Sequence, residues 1–144
     1  MAQAEEVETV RVEPDADRLE RLNLLLAEVW RGNPFYRDKW RRTGLREESL
    51  ASLEDLGRFP FTSRAELERD QRRTPLLGTN LTFPLDEYHQ VHRSSGTSGA
   101  SLLWADTRAS WEWLVERSEE LFRMAGVDAS DRVLLAAGGG AAAR

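Results

Sequence analysis

The sequence predicts an α/β fold in which N-terminal helices are followed by a strand–loop–strand–helix–strand unit. Three observations predict it. Apolar residues recur at helical spacing from about residue 15 to residue 73. At Tyr88 the pattern changes to short strand-like runs separated by a glycine- and serine-rich stretch. One strongly amphipathic stripe then follows between residues 107 and 125. At 144 residues the chain has the size of one ordinary domain, able to bury about two-thirds of the surface its unfolded form exposes.

Residues 1–14 are polar and acidic and are expected to form a disordered tail. A first helix is expected from Asp15 or Asp17 to Arg31. Leu19, Leu22, Leu26, Val29 and Trp30 lie on its apolar stripe, and Gly32 would supply a left-handed stop. Asn33-Pro34 restarts the chain, with proline suited to the first turn of a second helix that ends near Gly44. Tyr36 and Trp40, four residues apart, should meet on its buried side. A short third helix covers Ser52 to Leu56. Ser63-Arg64-Ala65-Glu66 is a capping box, which places a helix start at Arg64 and an end before Pro75. Residues 75–86 hold two prolines and a Gly-Thr-Asn turn signal and read as loop.

Tyr88 to Arg93 reads as a strand, and Leu102, Leu103 and Trp104 as the start of another. Between them lies Ser94-Ser-Gly-Thr-Ser-Gly-Ala-Ser101. Asp106 or Thr107 can cap the next helix, along which Trp111, Leu114, Val115, Ser118, Leu121, Phe122 and Ala125 form one stripe before Gly126 ends it. Asp131 to Ala137 reads as a third strand, and residues 138–144 are a low-complexity end. No internal repeat is present.

Composition narrows the function. The net charge of −5 argues against nucleic-acid binding by the chain as a whole. The segment 31–46 concentrates six basic residues and three aromatics, but no nucleic-acid module surrounds it, so a helix with a solvated basic side is the simpler reading. No apolar run approaches the roughly 20 residues of a membrane span. The acidic start lacks the features of a signal peptide, which predicts a cytoplasmic protein. The chain has no cysteine, which removes disulfides, thiolate metal sites and a cysteine nucleophile. His89 and His92 are three apart on a strand and so face opposite sides, which disfavours a shared metal ion unless a bulge intervenes. Trp111 fits the helical stripe, Trp113 lies off it, and either can border a pocket.

The loop at 94–99 is the candidate site. Ser94, Ser95, Thr97 and Ser98 offer hydroxyls, while Gly96 and Gly99 permit positive φ and let backbone N–H groups converge on an anion. From composition alone, a phosphate-binding loop and a flexible connector both remain open. The loop is neither a P-loop, since no lysine follows Gly99, nor a dinucleotide fingerprint, since Gly96-x-x-Gly99 has the wrong spacing.

His92-Arg-Ser-Ser-Gly-Thr-Ser-Gly99 resembles the core motif of phenylacetate–CoA ligase-like and coenzyme F390 synthetase-like proteins, members of the adenylate-forming (AMP-binding) superfamily. The flanking segments resemble the family in the same order: Asn33-Pro-Phe-Tyr-Arg37 with Thr43-Gly44, then Asp55-Leu56 through Pro60-Phe-Thr-Ser63, and Ala125-Gly-Val-Asp-Ala-Ser-Asp-Arg-Val133 after the loop. The resemblance implies that residues 15–137 are a partial N-terminal domain, the beginning of the large domain of such an enzyme. It implies ATP, Mg2+ and CoA as cofactors and a small carboxylate as substrate, activated to an acyl-adenylate and passed on to CoA. It also implies that Ser94, Ser95, Gly96, Thr97, Ser98 and Gly99 contact the nucleotide phosphates.

Two departures are plain. Ala100-Ser101-Leu102 carries neither the proline nor the lysine common in the family after its loop, and the chain's only lysine, Lys39, matches no catalytic position. Family members are also several-fold longer, so the chain is expected to be an N-terminal fragment, inactive alone, from a truncated or frame-shifted reading frame. Self-association through uncovered apolar faces is expected. The alternative is a non-catalytic helical interaction module that keeps the family scaffold.

Overall fold

Three helices and the segments that tie them form the first part of the molecule. The computed structural model describes residues 14–48, 50–94 and 101–134. Helix α1 (Asp15–Gly32) and helix α2 (Pro34–Arg42) are joined at Asn33, and a 3-10 helix (Leu53–Arg58) and helix α3 (Arg64–Arg73) follow. Two strands, β1 (Tyr88–Arg93) and β2 (Leu103–Thr107), pair antiparallel, and helix α4 (Arg108–Met124) leaves the end of β2. The α/β class is thus as expected. Residues 131–134 take no strand conformation, and the rest of the expected third strand, 135–137, lies outside the described residues, as do 1–13 of the tail and the 138–144 end.

The core lies between α1, α2 and the segment entering α3. Trp30 and Trp40 stack with ring centroids 5.7 Å apart, Tyr36 approaches Trp40 at 5.4 Å, and Phe59 meets Trp40 edge-on at 5.1 Å. Leu45 completes this cluster, with Leu26 and Val29 packed against it. The expected Tyr36–Trp40 pair is therefore a core contact.

Gly32 corrects the expected left-handed stop. It is the last residue of α1 rather than a residue beyond it, and among the described residues the glycines with positive φ are Gly44, Gly78 and Gly126. A Cβ on Gly32 would lie 2.1 Å from the Thr82 carbonyl oxygen, so this glycine allows backbone to approach backbone. Asn33 turns the chain instead. Its side-chain oxygen accepts from Tyr36 N–H at 3.1 Å and caps α2. Its amide nitrogen donates to Asn80 Oδ1 and Thr82 Oγ1 at 3.0 and 3.1 Å, fastening the 75–86 loop to the helix junction. Gly126, at φ +74°, does end α4 as expected.

The basic 31–46 segment also needs a correction. Lys39 does not face water but is buried. Its Nζ donates to both Glu66 carboxylate oxygens, at 2.7 and 2.8 Å, and to the Phe61 carbonyl at 2.6 Å. Glu66 also closes the expected capping box, accepting from Ser63 N–H at 2.7 Å while its own N–H donates to Ser63 Oγ at 3.3 Å. The Lys39 ammonium first, and Ser63 N–H second, hold the Glu66 carboxyl down at about 2, against an ordinary value of 4.5. A carboxyl depressed in the folded state contributes stability that is complete above its unfolded value and is lost as pH falls toward its folded value. Wild type is therefore expected to lose stability between about pH 4.5 and pH 2 more steeply than Glu66→Gln. Parallel pH dependences of the two urea midpoints would exclude this.

Helix α4 exposes most of its apolar stripe. Leu114, Val115, Leu121, Phe122 and Met124 all face solvent, and only Trp111 and Ser118 are half-buried. No helix among the described residues is long and apolar enough to cross a membrane.

Candidate functional site

Strands β1 and β2 form the hairpin that carries the Ser/Gly loop. Arg93 pairs with Leu103, His92 with Trp104 and Val91 with Ala105, and the register shifts between Tyr88 and Gln90. β2 begins one residue later than expected and runs farther, to Thr107, whose Oγ1 accepts from Ser110 N–H at 3.1 Å and caps α4.

Just past the ladder, Ser94 N–H donates to the Leu102 carbonyl at 2.9 Å, and Leu102 N–H donates to Ser94 Oγ at 3.0 Å. This double contact clasps the root of the loop. Of the six candidate residues, Ser94 is the described one; Ser95, Gly96, Thr97, Ser98 and Gly99 lie outside the described residues. Ser94 N–H is committed to the clasp, which leaves its hydroxyl proton as the donor it can offer an anion. Leu102 is buried and anchors the same point from below.

A residue that sequence reasoning missed holds the outer edge of β2. Gln71, on α3, donates through Nε2 to the Leu103 carbonyl at 2.7 Å and accepts from Leu103 N–H through Oε1 at 3.1 Å. Its amide thus pairs with β2 as a neighbouring strand would. Asp70, beside it, accepts from Thr79 N–H and Oγ1 at 2.6 and 2.7 Å, and Gly78 at φ +76° allows that approach. Tyr88 Oη accepts from the backbone N–H groups of Thr82 and Phe83, at 2.9 and 3.2 Å, at the start of β1. No local signal marks Gln71, because its partner lies 32 residues away.

Gln71→Leu keeps the apolar contacts but strands one donor and one acceptor of Leu103, a local cost of about 1–3 kcal/mol. We expect the Leu103 amide to exchange with solvent at least tenfold faster in that variant while α1 and α2 keep their protection. Unchanged exchange at Leu103 would refute it.

His92 pairs with Trp104 in the regular part of the ladder, whereas His89 lies in the register shift between Tyr88 and Gln90. His92 Nδ1 lies 3.1 Å from Asp106 Oδ2, a buried oxygen that accepts no hydrogen bond. Asp106 Oδ1 accepts from Ser110 Oγ at 3.2 Å. The close approach of His92 and Asp106 spans β1 and β2 two residues from the loop root, and Ser110 links Asp106 to the first turn of α4. Among the described residues, no three His, Asp or Glu side chains converge to hold a metal ion. The Mg2+ implied by the resemblance finds no ligand set among them.

No family model matches the sequence. Individual relatives do. The chain is 32% identical over 126 residues to phenylacetate-coenzyme A ligase of Pseudomonas putida, a match covering 85% of this chain and 27% of that protein. It is 29% identical over 138 residues to the enzyme of the same name from Escherichia coli (strain K12), covering 93% and 30%. The chain thus spans about a quarter to a third of the length of these relatives. Among solved structures, 2-hydroxyisobutyryl-CoA ligase in its postadenylation state, in complex with R3-HIB-AMP, superposes with a TM-score of 0.71 at 28% identity, over 78% of this chain and 23% of that one. The same ligase with 2-HIB-AMP and CoA, in its thioesterification state, gives 0.65 at 27% identity, over 79% and 28%. Sequence and fold agree, and the chain belongs to the phenylacetate–CoA ligase-like family of adenylate-forming enzymes.

Proposed function

We propose that this chain is the nucleotide-phosphate-holding part of an ATP-dependent carboxylate–CoA ligase, in which Ser94, Ser95, Gly96, Thr97, Ser98 and Gly99 grip the phosphates of ATP. The observation that supports the reading is the clasped hairpin, whose root at Ser94 and Leu102 brackets a stretch of sequence rich in hydroxyls and glycine. Such donors hold a polyphosphate in position and stabilise the charge that develops as pyrophosphate departs. The solved relatives hold acyl-adenylates, and some also CoA, which fits the same two-stage chemistry.

On this reading residues 15–137 are part of the large domain, with 1–14 and 138–144 as its flanks. The protein works in the cytoplasm, without nucleic acid, on a small carboxylate, ATP and CoA. On this reading the 144 residues, which span about a quarter to a third of the length of the relatives, do not complete the reaction by themselves. The test is to assay AMP and thioester formation from ATP, CoA and a panel of small carboxylates. One arm uses the chain alone and the other the chain joined to the remaining length of the Pseudomonas putida relative. Activity only in the joined protein, with ATP protecting residues 94–101 from hydrogen exchange, is the expected result. Thioester from the chain alone would overturn the inactivity, and a joined protein that folds but neither binds ATP nor forms AMP would overturn the phosphate grip.

A second reading, a non-catalytic helical interaction module, is favoured by the exposed apolar stripe of α4. Self-association through that stripe, abolished by Leu121→Glu and indifferent to changes in the loop, would support it.

A further inference from the structure

The 94–107 segment holds many hydrogen-bond donors and no cation, yet a polyphosphate carries several negative charges. Donors without charge position an anion but neutralise little of it. The charge has to come from neighbouring elements, and a cleft beside the loop root offers a place for it.

An open cleft of about 390 Å3 lies between the C-terminal half of α3 and the root of the hairpin. Its walls include Arg72 and Gln71 of α3, Leu76, Arg93 at the end of β1, and Ser101 to Leu103 leading into β2. The volume falls in the range of small-ligand sites. Two arginines thus line one cleft beside the residues where the loop begins and ends. Arg93 directly precedes Ser94 and pairs with Leu103 across the ladder, and it makes no ion pair among the described residues. Arg72 is exposed and only loosely matched, 3.9 Å from Glu68. Glu68 also lines the cleft, but its other oxygen accepts from Arg64 Nε at 2.8 Å, so its charge is largely taken up from outside. The floor is fixed rather than adaptable, because Gln71 holds the Leu103 backbone and Leu102 is buried.

We propose that Arg72 and Arg93 form a cationic clamp for the polyphosphate of a nucleotide, supplying from the sides of the cleft the positive charge that the loop itself lacks. The assignment rests on the phosphate-grip reading above and adds to it the residues that carry the charge. Planar guanidinium groups suit this role, since each can donate two parallel hydrogen bonds to phosphate oxygens. Arg93 is placed to meet the phosphate nearest the loop root, and Arg72 the end that projects toward α3.

The probe is inorganic tripolyphosphate, titrated into the intact 144-residue chain at low and at moderate salt. Wild type is expected to bind with a salt-dependent affinity. Arg93→Gln and Arg72→Gln should each weaken binding about tenfold, as loss of one charge-assisted contact in an open cleft implies. Both should also flatten the salt dependence, while Arg123→Gln on α4 leaves affinity unchanged and urea midpoints confirm that all variants fold. Arg93→Lys should recover part of the loss, since charge returns without the planar fork. Binding that is absent in wild type, or equal in wild type and both cleft variants, overturns the clamp. The phosphate-grip reading is judged separately, by AMP formation in the joined protein, and it stands if that activity survives Arg72→Gln and Arg93→Gln.

Discussion

Trp40→Ala is expected to destabilise the protein by about 3–5 kcal/mol, a large share of an ordinary total stability of about 5–15 kcal/mol. Trp40 is the ring on which the core converges. It stacks on Trp30, meets Tyr36 and Phe59, and is itself only 6% exposed. The indole has no small neighbour that can slide into its place, because α1 and α2 are pinned at their junction by Gly32 and Asn33. The cavity would therefore persist, and the loss would combine transfer and cavity costs. Trp113→Ala is the matching control: that ring is 54% exposed, and its removal should change stability by less than about 0.5 kcal/mol. Urea unfolding followed by far-UV circular dichroism reads both. Comparable midpoints for the two variants would remove the aromatic cluster from its central role.

The second large effect lies at Lys39. Glu66→Ala leaves a buried ammonium with only the Phe61 carbonyl for company, and it also opens the α3 capping box. Breaking a buried pair by deleting one partner costs about 3–5 kcal/mol, and losing a cap about 1 kcal/mol more. Because a third of the Glu66 side chain still meets water, the low end applies, and a total of about 4 kcal/mol is expected. Lys39→Met should cost less than half as much. It removes the buried charge itself, leaves Glu66 free to be hydrated and to keep its cap, and fills much of the same space. The order of the two variants is the informative result. If Lys39→Met proved the more damaging, the pair would act through the packing of the lysine stem rather than through charge.

Much of this architecture was legible along the chain. The Ser63–Glu66 capping box, the Asn33-Pro34 restart, the Tyr36–Trp40 pair and the Thr107 start of α4 depend on residues within a few positions of one another. The hairpin and the loop between its strands were legible for the same reason, as an apolar run, a small-residue run and a second apolar run. The solvated basic helix was misjudged at one position, because nothing near Lys39 in sequence announces Glu66, which is 27 residues away. Gly32 was misread for a related reason. A glycine after a helical stripe fits a left-handed stop, whereas its actual constraint is the Thr82 backbone 50 residues later.

The sequence by itself determined the family, the α/β order of elements and the identity of the Ser94–Gly99 loop as the candidate phosphate contact, since each is written in local patterns and their order. Tertiary structure alone decided what supports that loop. The Gln71 amide against β2, the Ser94–Leu102 clasp, the His92–Asp106 contact and the cleft shared by Arg72 and Arg93 all join elements that meet only after folding. A side-chain amide can stand in for a strand, and two distant arginines can serve one anion, only when packing fixes the distance between them. That distance is a property of the packed elements, and residue spacing along the chain does not encode it.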